Sequence, residues 1–211
     1  LLKAGEFQAA AIVYQDFLDS LEDGDDPHAL EAVLGLAKAA LACGQPALAI
    51  TRLEHARQAF PTSLNLLLLL SRAYRAEGDQ THAHAIAKQA AEMNPTSAMA
   101  LRAYREAAEE AGQIEEAIYA QTKLAALQPE DAMAWIELAR IRWAAGQAQP
   151  ARQDLAKAIR LADADPTAYA EAGEVAGRQG LSRLELRLLR RAGKLAPSDS
   201  LIQAKLAAAA E

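Results

Sequence analysis

The chain has 211 residues and a net charge of −6; 52% of its residues are hydrophobic and only 5% aromatic. An acidic balance argues against general nucleic-acid binding, which needs a basic footprint, and the abundance of alanine and leucine favours helix over strand. The single cysteine, Cys43, excludes an internal disulfide and a cysteine-based zinc site; the longest apolar run, Leu66 to Leu70, is far too short to cross a bilayer.

The sequence opens at Leu1 inside a helical pattern and without an initiator methionine, as expected of a fragment. Cytoplasm and periplasm are both compatible with one thiol and no visible signal segment. Gly5, Phe7, Ala10, Tyr14 and Phe17 have the spacing of a second helix from a truncated unit, expected near 7–22. The acidic stretch Glu22-Asp23-Gly24-Asp25-Asp26 follows. It lacks the spaced ligands and final glutamate of a calcium loop, so a solvated linker is expected. Further helices are expected near 28–43, 46–59, 63–77, 80–93, 97–111, 114–127, 131–145, 148–162, 166–179, 181–195 and 199–210.

These expectations come from a repeat. Gly44, Gly78, Gly112, Gly146 and Gly180 are 34 residues apart. Pro61, Pro95, Pro129 and Pro197 each lie 17 residues after one of them, and Asp163 takes that place in the remaining unit. The glycine is expected to end the first helix of each unit in a left-handed conformation, and the proline to end the second. Eleven residues before the glycines stand Val33, Leu67, Leu101, Trp135 and Tyr169; eight before stand Leu36, Leu70, Tyr104, Leu138 and Ala172. Four before stand Ala40, Tyr74, Ala108, Arg142 and Ala176. Offsets of three and four define one helical face, expected to be core. In the second helix, Ala49, Ala83, Ala117, Ala151 and Glu185 come five residues after the glycine. Ala56, Ala90, Leu124, Ala158 and Ala192 come twelve after. Small residues there allow close helix approach; Glu185, and Arg105 in a first helix, replace small packing residues, so looser junctions are expected at them.

A 34-residue helix–turn–helix with these marks resembles the tetratricopeptide repeat family, with Leu67, Leu70, Tyr74, Gly78, Ala83, Ala90 and Pro95 the best single match. The resemblance implies an all-α, right-handed superhelical solenoid of antiparallel helix pairs spanning 1–211. Its parts would be the truncated helix at 1–22, full repeats at 30–61, 64–95, 98–129, 132–163 and 166–197, and a capping or truncated helix at 198–211. It also implies a scaffold that binds a protein or peptide in a concave groove, with no cofactor and no catalytic residue. In bacteria, whose style this alanine- and arginine-rich sequence has, similar repeats serve assembly, secretion or export complexes. The alternative is a structural spacer or self-association module without a groove ligand.

In this family the first helices line the groove, which places its residues thirteen, ten, six and three before each glycine. The implied set is Leu34, Lys38, Leu68, Arg72, Arg75, Met99, Arg102, Glu106, Glu109, Met133, Ile136, Arg140, Trp143 and Glu174. Trp143 is the expected exposed anchor, because tryptophan and arginine dominate binding hot spots, and Trp135 the expected core aromatic. Some family members grip a C-terminal carboxylate with lysine and asparagine. The matching pairs here, Leu34/Lys38, Leu68/Arg72 and Arg102/Glu106, do not supply that combination.

Other features give weaker signals. His82 and His84 would point about 160–200° apart on a helix, which does not suit a metal site. No phosphate loop or nucleophile elbow is present. Arg183, Arg187, Arg190, Arg191 and Lys194 form a basic stripe, read either as a solvated outer face or as contact with an acidic partner or anionic surface. Residues 1–130 hold 10 Lys/Arg against 18 Asp/Glu, a balance of −8, and residues 131–211 hold 12 against 10, a balance of +2.

Overall fold

A computed structural model describes residues 27–210, together with residues 9, 12 and 13. The expected helix at 7–22 and the acidic linker at 22–26 lie outside the described residues or almost wholly so. The described chain is helical throughout, with no strand. Its helices are α1 (Pro27–Ala42), α2 (Pro46–Ala59), α3 (Leu64–Glu77), α4 (Gln80–Met93), α5 (Ala98–Glu110), α6 (Ile114–Leu127), α7 (Ala132–Ala144), α8 (Ala148–Leu161), α9 (Pro166–Arg178), α10 (Ser182–Leu195) and α11 (Ser200–Ala208). Each boundary falls within two residues of the sequence expectation. The described residues up to Gln113 belong to one compact unit and those from Ile114 to another.

Two kinds of residue set the turns. The five repeat glycines have φ between +70° and +88°. At Gly78 this left-handed geometry closes α3, with its N–H bonded back to the carbonyls of Tyr74 and Arg75. The second kind was not recognised in the sequence. Ser63, Ser97, Asp131, Asp165 and Asp199 are also 34 residues apart, and each caps the helix that follows. The Ser63 hydroxyl accepts from the Leu66 N–H at 3.4 Å and Ser97 from Ala100 at 3.3 Å. Asp131 accepts from Met133 at 2.9 Å, Asp165 from Thr167 at 2.8 Å and Asp199 from Leu201 at 2.9 Å. Side-chain oxygens here satisfy N–H groups that have no partner in the first turn. These residues were expected inside the helices at 63, 97, 131 and 199; as caps they precede them by one.

In the first unit, α1 to α5 pack as consecutive hairpins, and the alternate helices α1, α3 and α5 also touch. Links of two to four residues force neighbouring helices to run antiparallel. Leu53, Leu66, Leu67 and Leu70 are fully enclosed at the centre of this core. In the second unit, consecutive helices pack likewise from α6 to α11, and α7 touches α9. Leu138, Ile141, Leu155 and Leu189 are its most enclosed large side chains.

The core positions expected eight before and twelve after the glycine are buried in every unit. Two further rows are buried throughout: Ala32, Leu66, Ala100, Ala134 and Ala168, and Ala39, Ala73, Ala107, Ile141 and Val175. Where a row departs from small residues, a polar partner accompanies the change. Arg142, on a row otherwise filled by alanine and tyrosine, meets buried Asp154 at 2.6 Å. Burial still holds the Asp154 carboxyl above its ordinary range, with Arg142 opposing it. Glu185, which replaces alanine, lays its carboxylate into the space that a side chain at Gly177 would fill.

The two tryptophans exchange the roles expected of them. Trp135 is only half-buried. Its indole N–H donates to the Pro129 carbonyl at 3.0 Å, and the Lys157 ammonium lies 3.4 Å from the ring centroid. Tyr169, one repeat later, does the same: its hydroxyl donates to the Asp163 carbonyl at 3.1 Å beneath Arg191. An aromatic on this row keeps its polar edge on the turn and takes a cation over its face. Trp143, in contrast, is 9% exposed and belongs to the core formed with Leu155, Val175 and Leu188. We therefore expect Trp143→Ala to lower stability by about 3–5 kcal/mol. Trp135→Phe, which removes the turn hydrogen bond but keeps the ring, should cost about 1 kcal/mol. Denaturant melts of the two variants should rank them in that order.

Candidate functional site

The face left over by core packing is best developed in the first unit. From α1 it presents Leu34 and Lys38, from α3 Leu68, Arg72 and Arg75, and from α5 Met99, Arg102, Glu106 and Glu109. Leu34 and Leu68 are partly buried against the core, so only part of each remains to a ligand. Met99 is 57% exposed. Lys38, Arg72 and Arg102 are exposed.

The acids that α5 places on this face are already engaged. Arg75 Nε reaches Glu110 at 2.7 Å and its Nη1 reaches Glu106 at 2.9 Å; a further Arg75 nitrogen pairs with Glu110. Arg105 bonds Glu109 at 2.7 Å and Glu106 at 3.2 Å. Two guanidinium groups thus tie three carboxylates and join α3 to α5. The Arg75 hydrogen bonds hold the Glu110 carboxyl below its ordinary range, and Glu110, first among the causes, raises Arg75. Lys38, Arg72 and Arg102 make no ion pair with any described residue. The face therefore combines neutralised acids, free cations and apolar side chains.

Behind it, Tyr74 donates to Glu54 at 2.9 Å and stacks on His82 at 5.1 Å between centroids. Burial, then the Glu54 hydrogen bond, push the Tyr74 hydroxyl up to about 12. His82 also pairs with its helix cap Asp79 at 2.6 Å, and His84 tilts onto Tyr104. The histidines are thus in ring contacts on separate neighbours. Among the described residues, no group of three His, Cys, Asp or Glu could hold a metal ion.

In the second unit the same register gives a different surface. Ile136 is 4% exposed and Trp143 9%, which corrects the expectation that they stand in the groove. The next helix, α9, carries only Ala170 and Gly177 at the matching positions. Beside such small neighbours a large apolar side chain gains more by leaning inward than by standing in water. Met133 is partly buried against that core. Arg140 pairs with Glu137 on its own helix. Glu174 pairs with Arg178 at 3.3 Å and with Lys205 of α11, which also reaches Glu171 at 3.2 Å. Of the fourteen residues expected in the groove, the nine in the first unit thus share one accessible face. The five in the second are buried, half-covered or internally paired.

No protein-family model matches the chain, and no curated protein matches it in sequence. Solved structures do match. MamA from Desulfovibrio magneticus RS-1 superimposes with a TM-score of 0.64 at 17% identity, over 81% of this chain and 96% of that one. YrrB, a TPR protein with an unusual peptide-binding site, gives 0.63 at 13% identity over 92% and 98%. A thermophilic TPR protein of Thermus thermophilus gives 0.56 at 20% identity over 85% and 98%. This is the tetratricopeptide-repeat fold. Identities this low carry the fold and no more, so function is argued from the residues of this chain.

The ion network makes a pH prediction. Glu110 has a lowered folded-state pKa, so its pairing with Arg75 stabilises fully above the ordinary glutamate value of 4.5 and is lost as pH falls through the folded value. The stability difference between the wild type and Arg75→Ala should therefore be larger at about pH 7 than at about pH 3. Equal differences in urea melts at the two pH values would show that the pair contributes nothing.

Proposed function

We propose that the chain is a protein-interaction module, and that the face of α1, α3 and α5 binds a peptide or helical segment carrying carboxylates beside apolar side chains. One observation carries this reading. Lys38, Arg72 and Arg102 stand exposed and without an ion pair to any described residue, next to Leu34, Leu68 and Met99, while the α5 acids of the same face are occupied by Arg75 and Arg105. A carboxylate approaching this surface meets exposed cationic donors beside α5 acids that are already neutralised, and arginine can hold it through two parallel hydrogen bonds. Partly covered leucines and an exposed methionine offer adaptable apolar contact. A repeat solenoid supports such a role because its first helices hold side chains from separate units on one rigid face. YrrB, with the same fold, is a peptide binder. Participation in a bacterial assembly, secretion or export complex extends the same reading. No chemical step is assigned, since no nucleophile and base are brought together on this face.

Selection from a random peptide library displayed on phage tests the reading. Enriched peptides should be rich in Asp and Glu interspersed with Leu, Met or Phe. Their affinity should fall at least tenfold, about 1.4 kcal/mol, in the Lys38→Glu/Arg72→Glu double variant. It should also fall with added salt, because exposed charges are screened within about a Debye length. Failure to enrich any sequence, or unchanged affinity in the double variant, would reject this face as the site.

A further inference from the structure

A second charged surface belongs to the second unit. On α10 the buried residues Leu188, Leu189, Ala192 and Gly193 occupy one side of the helix. The opposite side carries Arg183, Arg187, Arg190, Arg191 and Lys194, which with Leu186 line an open cleft of about 500 Å³. Arg191 leans toward the Tyr169 ring. The other four cations make no ion pair with any described residue. Four unpaired like charges along one helix repel one another and lower the stability of the helix that carries them. An acidic partner would relieve that repulsion.

Their spacing gives the shape of such a partner. Arg183, Arg187, Arg190 and Lys194 are four, three and four residues apart, the alternation of the seam along which two helices lie side by side. The chain itself contains a complementary sequence. Between Lys3 and Lys38 there is no Lys or Arg, and Asp16, Asp19, Asp23 and Asp26 all fall within that stretch. Glu22 and Asp25 add to the same acidic run.

We propose that the basic face of α10 docks the acidic segment 16–26 of a second copy of this chain. The contact joins different surfaces of the two copies, so it is head-to-tail: in a pair, one copy keeps its acidic segment available and the other its basic face. Such an interface propagates unless the rotation between copies closes a ring. It uses neither Lys38, Arg72 nor Arg102, so it stands or falls independently of peptide binding by the first unit. Being held chiefly by exposed charges, it should be strongest at low ionic strength.

Charge-swapped variants of the full chain test this. One is Arg187→Glu/Arg190→Glu and the other Asp19→Lys/Asp23→Lys; all of these positions are read by sedimentation velocity after circular dichroism has shown wild-type helicity. The wild type should form species that grow with concentration at low salt and dissociate at about 0.5 M salt. Each variant alone should associate at least tenfold more weakly. Mixed, they should associate again, because the acidic α10 of the first meets the basic segment of the second, and the two wild-type surfaces remain to pair. Should either variant lose helicity, Arg187→Gln/Arg190→Gln replaces the first and Asp19→Asn/Asp23→Asn the second, each expected to weaken association without recovery on mixing. A wild type that stays monomeric at every concentration, association indifferent to the substitutions, or no recovery in the mixture of charge-swapped chains would overturn the proposal. So would a monomer whose α10 cations instead bind phosphatidylserine vesicles, which would assign the surface to anionic lipid.

Discussion

The structure depends on helix length being fixed by its ends. A left-handed glycine closes the first helix of each repeat, and a serine or aspartate fifteen residues before that glycine opens it in most of them. With both ends held in a 34-residue register, the same side chains face inward in successive units, and each unit covers the apolar face its neighbour exposes. The core this produces is largely alanine. Its stability rests on many close helix contacts and a few enclosed leucines, and large aromatic side chains are the exception. That makes the small-residue rows sensitive: a bulky group on one must displace something, as Glu185 displaces any side chain at Gly177.

Helix boundaries were legible in the sequence because glycine and proline have backbone constraints that no environment alters. The caps carried the same 34-residue signal in Ser63, Ser97, Asp131, Asp165 and Asp199, and could have been found by following serine and aspartate through the register. The two additional buried rows were harder to see. In a sequence this rich in alanine, buried and exposed positions differ little in hydropathy, so periodicity loses contrast. Asp163 occupies the turn position held elsewhere by proline, yet adopts a φ of 41°, which proline cannot reach; a substitution in the register thus concealed a change of backbone.

The candidate face was only half legible, and the reason is physical. Offsets from the glycine give the direction in which a side chain leaves the helix. They do not give the size of its neighbours or the polar bond it must satisfy. Trp135 leaves toward the core but turns its N–H to the Pro129 carbonyl, and stays half-exposed. Trp143 leaves toward the presumed groove but meets the small residues of α9, and is enclosed. Charge was subject to the same limit. A mixture of signs reads as neutral in the sequence, whereas the structure sorts it: Arg75 and Arg105 consume the acids of α5, and Lys38, Arg72 and Arg102 remain. Function in this account lies in that remainder, on faces that the repeat exposes because the register has assigned the opposite faces to the core.

The central claim, that one 34-residue unit of register is the quantum of this structure, is tested most directly by removing one. Deleting residues 64–97 takes out α3 and α4 and joins Ser63 to Ala98, so that Ser63 caps α5 as Ser97 does now. Circular dichroism combined with urea unfolding, compared with a deletion of residues 64–78 that removes α3 and its closing glycine, gives the answer. The account predicts a cooperative transition in the first protein, with helicity reduced only by the two missing helices, and a broadened, weakened transition in the second, whose α4 has lost its hairpin partner. An uncooperative first protein, or a second that unfolds as sharply as the first, would contradict it.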